Sequence, residues 1–127
     1  MNILSSLLNF IGGKISDFTT RITSIEGKLN DAVVIKSYSY AYSNLAAGGA
    51  LSITANNFGA TTPSGYLPLA VRRATTGSNW CYITGMLADG TGSNTMLAIH
   101  NVGTVAISGT ATIRVAYIRS SLINVIT

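Results

Sequence analysis

Four carboxylates, one histidine and one cysteine supply most of the groups in this 127-residue sequence that could do acid–base or metal chemistry near neutral pH. Asp17, Glu26 and Asp31 fall in the first 32 residues, and Asp89 stands alone beyond them. A mechanism that flanks one bond with two carboxylates is therefore not available within residues 33–127 of a single chain. His100 sits in the run Leu97-Ala98-Ile99-His100-Asn101, where strand alternation sends Leu97 and Ile99 one way and Ala98 and His100 the other. Its plain role is a residue facing the opposite sheet or a neighbouring subunit. Three symmetry-related copies of His100 on an axis are the metal alternative, but no second ligand lies at a suitable spacing, and no metal is expected. Cys81, next to Trp80 in an apolar run, reads as a small buried hydrophobe and excludes an intrachain disulfide. No nucleophile-elbow pattern accompanies the abundant serines. The stretch Asp89-Gly90-Thr91-Gly92-Ser93-Asn94 lacks the lysine of a phosphate-binding loop and opens no helix. The expectation is a protein that is not an enzyme and carries no cofactor.

Binding fits the residue types better. A carbohydrate site needs an aromatic face with hydrogen-bonding groups beside it, and the ends of one strand-like run carry Asn79, Trp80, Asp89, Ser93 and Asn94. The competing role for Trp80 is core or subunit-interface packing. Arg72 and Arg73 should point to opposite faces of a strand, one lining an interface and the other, with Arg72 as the candidate, engaging a phosphate or carboxylate of a glycopolymer. Charged residues make up only 9% of the chain, against roughly 25% in an ordinary soluble domain. The net charge of +4 belongs to residues 33–127, where Lys36, Arg72, Arg73, Arg114 and Arg119 face Asp89 alone. These basic residues are scattered and not interleaved with aromatics, so nucleic acid is not an expected partner. No apolar run approaches the ~20 residues that span a bilayer, so membrane insertion is not expected. The opening residues lack the positive region of a secretion signal.

Two periodicities divide the chain. Leu4, Leu8, Ile11, Ile15, Phe18, Ile22, Ile25, Leu29 and Ala32 follow one another at alternating intervals of four and three, a heptad seam. With Leu8, Ile15, Ile22 and Leu29 at a and the others at d, isoleucine occupies both positions of the central heptad, which disfavours parallel dimers and favours three or four strands. Arg21 then lies at g and Glu26 at the following e, where a parallel neighbour supplies the opposite charge across the seam. The hexad Arg21-Ile22-Thr23-Ser24-Ile25-Glu26 resembles the trimerisation signature of short coiled coils, in which the arginine stem also covers the apolar seam. The residues expected to trimerise are Ile15, Phe18, Arg21, Ile22, Ile25, Glu26 and Leu29. Gly12, Gly13 and Gly27 each cost about 1 kcal/mol inside a helix, and the Gly12-Gly13 pair is a candidate hinge. The alternative for this segment is an amphipathic helix lying on its own β domain.

From Val33 the period becomes two. Tyr38, Tyr40 and Tyr42 share one face and Ser39, Ala41 and Ser43 the other, and the tyrosine row is expected to pack the junction of stem and head. Further strand-like runs are 51–55, 66–74, 80–87, 95–102, 104–107 and 110–120, separated by Gly, Asn, Ser, Thr and Pro clusters. Six or seven strands without helical pattern between them predict an antiparallel, jelly-roll-like β-sandwich head over residues 33–127, preceded by a coiled-coil stem over residues 1–32.

This layout resembles the tips of phage tail fibres and receptor-binding proteins. The likeness is carried by Gly65-Tyr66-Leu67-Pro68-Leu69-Ala70-Val71, by Met96-Leu97-Ala98-Ile99-His100-Asn101, and by the last strand, Thr110 to Ser120. The resemblance implies a homotrimer that attaches a phage or prophage particle to a bacterial surface polysaccharide or other glycan, alongside other virion proteins. The virion is then its place, in tail or capsid. Full fibres have long shafts and an attachment domain, so the expectation for this chain is a fragment, or a small decoration or accessory fibre. The alternative is a purely structural trimer that decorates a capsid or tail, or caps a shaft. A glycan-degrading enzyme is disfavoured by the scarcity of carboxylates.

Overall fold

The computed structural model describes residues 2–123, the side chains of Lys28 and Leu29 excepted. It divides into two compact units, Met1–Ala32 and Val33–Thr127.

The first unit is one helix, α1, Ile3–Asn30. Asn2 caps it, its side-chain oxygen accepting from the Leu4 amide at 2.9 Å. The helix runs unbroken through Gly12 and Gly13, so the hinge expected there is not present. Glycine keeps its amide donor and lowers helix stability without bending the axis. Along the seam, Leu4, Leu8, Ile11, Ile15, Phe18, Ile22 and Ile25 are exposed, Phe18 by 64%. Arg21 and Glu26 are exposed as well, and the side chain of Leu29 lies outside the described residues. Lys14 lies over the ring of Phe10, 5.5 Å from its centre. Among the described residues no helix is long and apolar enough to cross a membrane.

The second unit is mainly β. In chain order it has β1 (Val33–Leu45), β2 (Ala50–Thr54), a one-turn helix α2 (Ala55–Phe58), β3 (Tyr66–Thr75), β4 (Cys81–Met86), β5 (Thr95–Asn101) and β6 (Ile107–Arg119). These form two antiparallel sheets of three strands, ordered β1-β6-β3 and β2-β5-β4. Side chains of both sheets meet in one core, with Tyr42, Ile53, Leu97, Ile99, Ile113, Val115 and Tyr117 buried. Each contributes about 2 kcal/mol by leaving water. The tyrosine row packs this core: Tyr42 is inside, and Tyr38 and Tyr40 lie against it. Tyr38 and Tyr117 pair their hydroxyls at 2.9 Å. Strand β3 carries Pro68 and pairs with β6 through two register shifts, at Pro68/Ala70 and Val71/Arg73.

Three local expectations are corrected. Residues 104–107 do not form a strand of their own; only Ile107 is extended, as the first residue of β6. The buried Asn101 side chain takes up one carbonyl of that segment, donating to Val105 at 2.9 Å, and also donates to the Leu45 carbonyl at 3.0 Å and accepts from the Gly103 amide at 2.8 Å. The Val105 carbonyl spent this way is not free for a ladder bond. Ser108 and Gly109, expected to separate two strands, continue within β6. Residue 55, expected to end a strand, and residues 56–58, expected as loop, form α2. Thr54 and Asn57 build a reciprocal capping box, and Gly59 closes the turn with φ +64°.

Candidate ligand-binding site

A polar cleft of about 440 Å³, within the usual range for ligand sites, opens in the β unit. Residues 74–79, the end of β3 and the loop after it, form one wall, and Cys81, Tyr82 and Ile83 of β4 form the other. Two constraints set that loop. Gly77 adopts φ +75°, and a Cβ there would fall inside contact distance of the Thr110 backbone, so the loop lies directly against β6. Thr76 and Ser78 then close a tight turn, with the Thr76 hydroxyl donating to the Ser78 carbonyl at 2.7 Å.

Beneath the loop, Tyr42 donates its hydroxyl to the Thr76 carbonyl at 2.7 Å, and Cys81 Sγ lies 3.9 Å from the Tyr42 hydroxyl oxygen. Burial, and secondarily the Cys81 contact, push the Tyr42 phenol up to about 12. Tyr117 is raised as well, by burial first and then by its hydrogen bond with Tyr38. Both folded phenols hold their protons more tightly than unfolded ones do. Their contribution to stability is complete below about pH 10, the ordinary tyrosine value, and for Tyr42 is lost as pH rises towards about 12. Urea unfolding should therefore give a constant stability at pH 8–9 and a decline above pH 10. The Tyr42→Phe variant should start less stable and decline less. Identical slopes in the two proteins would count against Tyr42 as a source of the decline.

The exposed side of the second sheet presents Tyr82 and His100, paired across β4 and β5 with ring centres 5.3 Å apart and planes inclined by 40°. His100 thus packs on Tyr82, and Tyr82 is half exposed at the cleft. Among the described residues no group of three or more His, Cys, Asp or Glu could hold a metal ion.

The residues expected to form a saccharide site are not brought together. Asn79 lines the cleft. Trp80, 62% exposed, is not core; its backbone carbonyl accepts from the Val102 amide at 2.8 Å, which places it at the Cys81 end of β4. Asp89, Ser93 and Asn94 lie past the Met86 end. At about 3.3 Å per residue, β4 alone separates the two groups by about 16 Å, and the pairing of Cys81 with Asn101 and Met86 with Leu97 keeps them apart. The Asp89 carboxylate is occupied in its own loop by the Thr91 hydroxyl and, at 3.4 Å, the Asn94 amide. That loop is tied to α2, whose Ala55 and Asn56 amides donate to the Asn94 and Gly92 carbonyls. Arg72 is exposed at the β3 register shift, and Arg73 is the arginine that pairs across the sheet, opposite Arg114.

Sequence reasoning did not single out Tyr82 or the Thr76–Ser78 turn as parts of a site. The Thr-Thr-Gly-Ser-Asn run was a visible turn signal, but the closeness of that turn to β6 was not. Comparison with protein-family models, with curated proteins and with solved structures finds no match.

Proposed function

We propose that the protein is a homotrimeric, non-enzymatic fibre-tip protein of a phage or prophage particle, joined by a parallel three-stranded coil and binding a bacterial surface glycan through its β units. The observation that carries this reading is the exposed apolar seam of α1 at a strict 3.5-residue period, bracketed by Arg21 and Glu26. The exposed part of each seam residue represents about 1 kcal/mol of unrealised burial, on the order of 7 kcal/mol per chain. Three helical glycines offset only about 3 kcal/mol of it. A helix with such a face is marginal in water unless covered, and identical neighbours match both its spacing and its charges.

The strand orders β1-β6-β3 and β2-β5-β4 support a jelly-roll reading of the head: they follow the pairing of an eight-stranded jelly roll from which two outer strands are missing. The glycan seat is the cleft of residues 74–79, with Tyr82 as the stacking face and Asn79 and Ser78 as hydrogen-bonding partners. Weak sugar contacts repeated on three linked heads gain strength by avidity.

Light scattering should give a mass of three times 13.2 kDa. Fluorescently labelled protein should be retained by host cells or purified cell-wall polysaccharide, with Tyr82→Ala reducing retention at least tenfold and Asp89→Asn leaving it within twofold. A single-chain mass would sink the assembly, and equal retention of both variants would sink the cleft as the seat. One observation favours the second reading, a structural decoration or shaft cap that binds no host molecule: the polar residues expected to converge on a sugar lie at opposite ends of β4. A trimer retained by no candidate polysaccharide would decide for it.

A further inference from the structure

On the solvent side of the first sheet, β6 places Arg114 directly opposite Arg73 of β3 and Thr112 directly opposite Thr75. These four residues line a depression of about 200 Å³. On the other flank of β6, Ser37 and Ser39 of β1 pair with Arg114 and Thr112, and the Ser39 and Thr112 hydroxyls lie 3.2 Å apart. Two like charges directly across a sheet destabilise it. Neither guanidinium can relieve the other, because arginine only donates hydrogen bonds. Among the described residues neither makes an ion pair or hydrogen bond. Asp89, the sole acidic side chain of residues 33–127, is held by Thr91 and Asn94 of its own loop. By contrast, Arg119 is taken up by Tyr66, with its guanidinium 5.6 Å from the ring centre. The sheet therefore maintains a doubly positive, hydroxyl-flanked depression with no anionic group of its own among the described residues.

We propose that this depression is an oxyanion site that takes a phosphoryl group. Two guanidinium forks and two hydroxyls offer more donors than the two oxygens of a carboxylate accept, whereas the three or four oxygens of a phosphate can engage both forks at once. The bound anion also removes the repulsion between Arg73 and Arg114, so binding stabilises the sheet. The site is separate from the Tyr82 cleft and does not depend on the attachment reading; where both hold, the phosphoryl group belongs to the surface polymer.

The test uses the full chain labelled with ¹⁵N and titrated with inorganic phosphate, glycerol 3-phosphate, acetate and chloride at matched ionic strength. Phosphate should move the Thr75 and Thr112 amides and the side-chain N–H signals of Arg73 and Arg114 to saturation. Glycerol 3-phosphate should do the same if an esterified group is accepted, and an effect of inorganic phosphate alone would restrict the site to the free ion. Arg73→Gln and Arg114→Gln should each weaken binding at least tenfold, and Arg72→Gln should stay within twofold. Phosphate should raise the melting temperature of the parent and not of Arg114→Gln. Shifts no larger than those from chloride, equal response to acetate, or equal loss in Arg72→Gln would overturn the proposal. Loss of cell retention with phosphate binding intact would count against the attachment reading alone.

Discussion

The double variant Ile22→Asp/Ile25→Asp is expected to leave a sizing column at the mass of one 13.2 kDa chain, while the parent elutes at three times that mass. Both positions are central to the seam of α1 and about half exposed in the single chain, so neither change damages a packed interior. In the proposed coil, however, each puts three carboxylates on one axis. Burying a charge without a partner costs several kcal/mol per group, which exceeds what the remaining seam residues can offset. The freed helix should also lose most of its circular-dichroism signal, because isolated helices carrying interior glycines are marginal in water. The β unit, with its own core, should keep its unfolding transition. A three-chain mass that survives the double change would show that the heads associate by themselves and would end the claim that the stem governs assembly.

The second large effect is expected at Gly77. Replacing it with alanine should cost about 4 kcal/mol, combining a left-handed backbone penalty of about 1–2 kcal/mol with overpacking of about 1–3 kcal/mol. The added methyl meets the Thr110 backbone, which belongs to the central strand β6 and cannot yield as a flexible side chain would. Gly92→Ala is the matched control, since Gly92 also has a positive φ, +57°, but nothing lies within 4 Å of the added Cβ. Its cost should be only about 1 kcal/mol. Urea midpoints of the two variants measure the difference directly, and equal midpoints would show that the approach of this loop to β6 is not a tight one. Because Gly77 lines the Tyr82 cleft, the same substitution should also weaken ligand retention.

Much of the architecture was legible because it rests on periodicity. The four-three spacing of α1 and the two-residue alternation of Tyr38, Tyr40 and Tyr42 are local patterns, and Leu97 and Ile99 fall inside the core as their alternation requires. Where side chains replace backbone partners, the pattern misleads. Residues 104–107 have strand composition, yet Asn101 claims the Val105 carbonyl and the Gly103 amide. The α2 turn was present in the sequence as Thr54, Asn57 and Gly59, a capping box with its terminating glycine, but four residues are too few to show a helical period. The pairing of Arg73 with Arg114 was not legible at all. It depends on a one-residue register shift in β3, which decides which of two adjacent arginines faces the neighbouring strand. Likewise, Asn79 and Asp89 both sit near the ends of β4 in sequence, and only the length of an extended strand reveals that the ends are far apart.

The interrupted outer strand β3 has a consequence for crowding. Joining chains in parallel raises the local concentration of open sheet margins, the condition under which β proteins polymerise into fibrils. Pro68 removes a donor from that margin, and the two irregularities beside it spoil the straight ladder that an incoming strand would need. Such a margin is a poor template, so in the proposed fibre tip neighbouring heads could be held side by side without fusing into a continuous ribbon.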